Sequence, residues 1–118
     1  MKFLFTIHHE EKTLDDMPAE ELQRLVDAAL DYSEDIRRSG HYIASNALQR
    51  ARTARTIRVR DGKVSVTDGP FAETKEQLGG FFLIEARDMD EACALAARFP
   101  PARIGTIEVR PVHELRHS

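Results

Sequence analysis

Two short, almost uninterrupted apolar runs, Phe3-Leu4-Phe5-Thr6-Ile7 and Phe81-Phe82-Leu83-Ile84, constrain this chain most. Each is too short for a buried helix and is followed by helix-start signals, so each reads as a buried strand feeding a helix, the first a central strand covered on both faces. After the first run, Asp15, Asp16, Pro18, Glu20 and Glu21 suit an N-terminal turn, and Arg37 and Arg38 precede a stop at Gly40. Between them Leu22, Leu25, Val26, Ala29 and Ile36 recur at helical spacing, so a helix of about residues 18 to 39 should pack that face on a sheet. After the second run, Asp88 and Glu91 make an Asp-x-x-Glu capping box. Met89, Ala92, Cys93, Ala96 and Phe99 form the stripe behind it, and Pro100-Pro101 ends the helix. On this pattern Cys93 belongs to the core and is not a nucleophile.

His41 to Leu48 and Gly105 to Arg110 read as further strands. Asp61-Gly62 is a two-residue type I′ hairpin signal. Closing it pairs Arg60 with Lys63, Val59 with Val64, Arg58 with Ser65 and Ile57 with Val66. Ile57, Val59, Val64 and Val66 then share one face, which is expected to point into the core. With the hairpin as an insertion, the remaining order is βαββαβ, a ferredoxin-like α+β fold with two helices on one face of an antiparallel sheet. The other face is left bare, and a homodimer with sheets packed face to face is the simplest cover.

Length and composition bound the function classes. A chain of 118 residues makes one domain, 1–118, with an ordinary globular balance of 42% apolar and 31% charged residues. Its formal charge of -3 supplies no overall positive field for nucleic acid or an anionic membrane surface. No apolar run approaches the ~20 residues of a membrane span. The N-terminal run meets His8-His9 too early for a signal-peptide core, and Cys93 stands alone, so a cytoplasmic location is expected. No histidine or cysteine sits at metal-ligand spacing, and neither a metal nor another cofactor is expected.

The segment Thr67-Asp68-Gly69-Pro70-Phe71-Ala72-Glu73-Thr74-Lys75-Glu76-Gln77-Leu78-Gly79-Gly80 closely resembles the signature of the DGPF proteins, a branch of the YCII-related family. Ala96-Ala97-Arg98-Phe99-Pro100 and Gly105 to Val112 are similar to that family's C-terminal pattern. The resemblance implies a ferredoxin-like dimer, and because some relatives are encoded beside, or fused to, alternative sigma factors, it also suggests an interaction module for transcription. The other reading, a small-molecule-binding or catalytic domain, rests on the candidate site residues. Part of the wider family has a His-Asp pair suggestive of catalysis, with the histidine in the first helix. Residues 18 to 39 contain no histidine here, so that pair is not carried over.

Two readings stand beside each candidate site. Asp68, Glu73 and Lys75 bring two carboxylates and an ammonium to a tight turn, a cluster suited to acid-base work. The structural reading has Gly69-Pro70 as a turn, Phe71 as a core anchor, and Thr74-x-x-Gln77 capping a short helical turn. His8 and His9 close the first strand on opposite faces, either as ligand-contacting bases or as partly exposed polar residues. Arg50, Arg52, Arg55, Arg58 and Arg60 form a basic stretch able to hold an anion, or the solvated face of a hairpin. The expected site is a pocket at the sheet and dimer cleft, with Asp68, His8 and His9 as catalytic candidates. Asp68, Phe71, Glu73, Lys75 and Arg58 are the candidate ligand contacts.

Overall fold

The computed structural model describes all residues, 1–118. Strand β1 (Lys2–His9) leads through a short helix α1 (Glu11–Asp15) into α2 (Ala19–Arg38), then β2 (Tyr42–Ala47). The hairpin strands β3 (Arg55–Arg60) and β4 (Lys63–Asp68) precede β5 (Gln77–Glu85), α3 (Met89–Ala97) and β6 (Gly105–Pro111). The main sheet runs β2-β5-β1-β6 with every neighbouring pair antiparallel, the order of a ferredoxin-like fold.

Alternation along β1 decides the layering. Phe3, Phe5 and Ile7 are buried on the helix side, whereas Leu4, Thr6 and His8 are only half-covered on the opposite face. β1 is therefore central, as its composition predicts, but covered by helices on one face only. Twelve hydrophobic residues form the core, with Tyr32 and Ile36 from α2 meeting Phe82, Ala92, Leu95 and Phe99. Tyr32 stacks on Phe82 and meets Phe99 edge-on, and its hydroxyl donates to the Leu95 carbonyl at 2.6 Å. Burial pushes its phenol up to about 12.

Asp88 starts α3 as expected, its carboxylate accepting from the Glu91 amide at 2.9 Å, while Glu91 reaches back to the amide of Arg87. α3 is rotated relative to the expected stripe, with Ala92, Leu95 and Ala96 inward and Cys93 exposed. The assignment of Cys93 to the core is thereby corrected. A helix rich in alanine carries too little contrast between faces to fix its own rotation.

The hairpin has the expected register, with Ile57 opposite Val66 and Val59 opposite Val64, and both turn residues at positive φ (Asp61 51°, Gly62 74°). Its placement differs from expectation. β3 and β4 form a separate two-stranded sheet, and Ile57, Val59, Val64 and Val66 are all more than half exposed. Parity sets which side chains share a face but not what that face meets. The hairpin stands out as an arm, and the Cα radius of gyration is 16.4 Å where a compact chain of this length would have about 13.5 Å. The molecule measures 49 × 47 × 18 Å, so it is thin, with one sheet layer and one helix layer. No helix is long and apolar enough to cross a membrane.

Candidate functional site: an apolar pocket at the end of the central strand

The pairing of β1 with β5 slips between Ile7 and His8, so that Ile7 faces Gly80, His8 faces Leu78, and Gly79 becomes the extra residue of a bulge. At this bulge the His9 ring occupies the space over Gly79, where any Cβ would collide with the imidazole. Gly80 is similarly pressed, since a Cβ there would lie 2.9 Å from the Asn46 carbonyl oxygen. The double glycine thus admits a histidine on one side and a neighbouring strand on the other.

Beneath the first half of α2 the sheet presents a run of small residues, Ser45, Ala47, Gly79 and Gly80, bordered by the larger Ile7 and Phe82. These small residues leave space under Leu22 and Leu25, and a pocket of about 250 Å³ remains. Ile7, Leu22, Leu25, Ala29, Phe82 and Ile104 line it, and His9 is its one titratable group. Burial, then the nearby positive charge of Arg50, lowers the His9 pKa from 6.5, which favours a neutral imidazole. Arg50 is held over the strand end by Asp15, at 3.0 Å from Nε and 2.9 Å from the guanidinium nitrogen Nη2. The adjacent Ala51 amide donates to Glu11 at 2.8 Å.

His8 points to the opposite, helix-free face. A second recess of about 610 Å³ lies there, between the sheet end and the root of the hairpin, lined by His8, Leu48, Arg50, Arg55, Phe71 and Glu76 among others. His8 Nε2 sits 2.9 Å from Thr6 Oγ1, and Thr106 Oγ1 donates to Glu76 Oε1 at 2.6 Å.

The structure brings His8 and Phe71 to the rim of one recess and His9 to the other pocket. Asp68, Glu73 and Lys75 line neither. The Asp68 side chain is 90% exposed and 3.4 Å from Arg55 across the hairpin, and Glu73, Lys75 and Arg58 are also exposed. Phe71 is 80% exposed and anchors nothing in the core, which corrects that expectation. Nor does Thr74 to Gln77 make a helical turn. The Thr74 hydroxyl donates to the Glu76 carbonyl, and the Gln77 amide reaches the carbonyls of Ala72 and Thr74 to pin the loop. Gly69, at φ 97°, donates its amide to Ala54, and its carbonyl accepts from Thr56, which closes the hairpin root.

Sequence reasoning missed the apolar pocket because Leu22, Leu25 and Val26 read as an ordinary packing stripe. The signal was the run of small residues opposite them. A further grouping, Ser39 Oγ 2.7 Å from His41 Nδ1 with His41 Nε2 3.4 Å from Glu91, has the outline of a triad. Its Ser39 hydroxyl also lies 3.1 Å from the Ile36 carbonyl and serves the end of α2.

These features define a ferredoxin-like α+β domain with a small, largely apolar pocket lined by one histidine. The family model for the YCII-related domain matches residues 1–116, and the chain belongs to that family. An uncharacterized protein of Rhizobium meliloti is 49% identical over 61 residues, which cover 50% of this chain and 49% of that protein, so the match spans about half the relative's length. Among solved structures, the chain is similar to 5-chloro-2-hydroxyhydroquinone dehydrochlorinase of Burkholderia phenoliruptrix in complex with 2,5-dihydroxybenzoquinone. The TM-score is 0.55 with 16% identity, over 100% of this chain and 96% of that one.

Proposed function

We propose that this chain, a member of the DGPF branch by its Thr67 to Gly80 segment, binds a small, largely apolar and uncharged molecule in the pocket under α2. The observation that carries this reading is a largely apolar cavity whose lone titratable group is His9, with its pKa lowered by burial. About 250 Å³ suits one substituted six-membered ring, given that benzene fills an engineered cavity of about 150 Å³. One hydroxyl on such a ring would meet the imidazole, which accepts a hydrogen bond, or a proton if a reaction follows. Of Asp68, His8 and His9, His9 alone lines this pocket.

The fold's relation to a protein that holds a dihydroxybenzoquinone makes monocyclic hydroquinones and phenols the first probes. Titration of such compounds, followed through the His9 ring resonances, should show saturable binding that Ala29→Phe abolishes by filling the cavity. Unperturbed His9 resonances across that panel would overturn the reading. The alternative, an interaction module for sigma factors, would leave the pocket ligand-free and put a protein partner on the exposed hairpin. We further propose a homodimer formed through the helix-free sheet face, where Leu4, Leu78, Phe81 and Leu83 are incompletely covered.

A further inference from the structure

The hairpin is the part of the molecule whose physical chemistry is least satisfied. A two-stranded ribbon with both faces in water is marginally stable at best. Here one face carries four aliphatic, β-branched side chains, and nothing within the chain covers them: Ile57, Val59, Val64 and Val66 are all at least 56% exposed. The opposite face, with Thr56, Arg58, Arg60, Lys63, Ser65 and Thr67, is polar and needs no cover. Such two-sidedness is the pattern of a strand pair with one face buried.

The chain carries a second uncovered surface, the helix-free side of the main sheet. It also carries a recess of about 610 Å³ at the arm's root, beside His8. Projecting arm and open face on one molecule are what a two-fold pairing of identical copies can satisfy together, each arm covering the other copy's face. The areas agree. The four exposed aliphatic residues on each copy amount to a patch of about 300–600 Å², the largest a monomer ordinarily shows. With the sheet-face residues added and both copies counted, the total reaches the roughly 1,200–2,000 Å² of a stable interface.

We propose that the β3–β4 hairpin is a clasp for a second copy of this chain. Ile57, Val59, Val64 and Val66 lie against that copy's helix-free sheet face and close the recess beside its His8. The pocket under α2 is complete within one chain, whereas the His8 recess is closed only by the second copy's arm. Arg58, Arg60 and Lys63 stay in water on the arm's outer face, so the clasp forms without burying their charges. This inference rests on the homodimer proposed above.

Sedimentation of the full chain at micromolar concentration is the first measurement, and a monomer there overturns both the dimer and the clasp. Given a dimer, Val59→Asp/Val64→Asp should weaken dimerisation at least about tenfold. Its far-UV circular dichroism and melting in the monomeric state should stay unchanged, because both positions are already exposed within the chain. A nitroxide on Lys63→Cys, in a Cys93→Ser background and mixed with isotope-labelled unmodified chain, should broaden the amides of Leu4, Leu83 and His8 in the labelled copy. An intact dimer whose affinity ignores the double substitution, or broadening confined elsewhere, overturns the clasp and leaves the sheet-to-sheet dimer standing.

Discussion

The imidazole of His9 fills the space that a side chain on Gly79 would need, so the two positions are sterically locked to one another across the β1–β5 bulge. A methyl group at residue 79 must either displace the ring or distort both strands. Gly79→Ala should therefore destabilise the fold by about 1–3 kcal/mol, the usual cost of overpacking. Adding His9→Ala should recover most of that loss. Urea denaturation of the two single variants and the double variant measures the coupling, and simple additivity would show that the ring is free to move aside.

The lowered pKa of His9 sets a pH window with a definite sign. The unfolded chain holds the proton more tightly than the folded one, so the contribution to stability is complete above pH 6.5 and shrinks as the pH falls below that value toward the folded pKa. If the neutral ring is the contact, ligand affinity should hold through that window and fall only as the pH drops through the lowered folded-state pKa, where the ring itself takes up the proton. His9→Asn should flatten both profiles, measurable by thermal melts and ligand titration between pH 5 and pH 8, the range in which a histidine changes charge.

Tyr32 offers a test of the core. Tyr32→Phe keeps the stacking on Phe82 but removes the donor to the Leu95 carbonyl, and should cost about 1–2 kcal/mol. In the wild type, spectrophotometric titration should show one of the two tyrosines ionising only near pH 12. That late phenol should vanish in the variant.

At the hairpin root, Asp68→Asn should leave both melting temperature and small-molecule binding nearly unchanged, since the carboxylate is in water and its Arg55 partner is largely exposed too. Gly69→Ala should cost stability of about 1 kcal/mol or more, because its positive φ suits glycine. Paired melts and titrations on the two variants decide whether the Asp-Gly-Pro segment matters here for its carboxylate or for its backbone.

What was legible in the residues was local. The apolar run from Phe3 to Ile7, the acids and arginines bracketing α2, and Asp61-Gly62 each act within a few residues, and each predicts its element to within a residue or two. The hairpin's surroundings were not legible, because the same alternation in Ile57 and Val59 serves a core face or an exposed one. Phe71 misled for a related reason, since an aromatic beside a turn is ordinarily an anchor. The pocket was hidden because it arises from an absence. Leu22 and Leu25 look like packing residues until Gly79, Gly80, Ala47 and Ser45 are set beneath them, and those come from strands distant in the chain.

The bulge at Gly79 also acts as a phase shifter. Counted back in strict alternation from Phe82 and Gly80 on the helix side, Leu78 should belong with them; the extra residue moves it across the sheet to stand opposite His8. Were the bulge ironed out with Gly79 retained, His8 would pair with Gly79 and His9 with Leu78, and Leu78 would swing into the space beneath α2 on the side of Leu22 and Leu25. A one-residue slip of register therefore separates a cavity-bearing version of this sheet from a more solid one, so within the same fold the loss of the bulge, rather than a change of side chain, is the short step between a chain that can hold a ligand there and one that cannot.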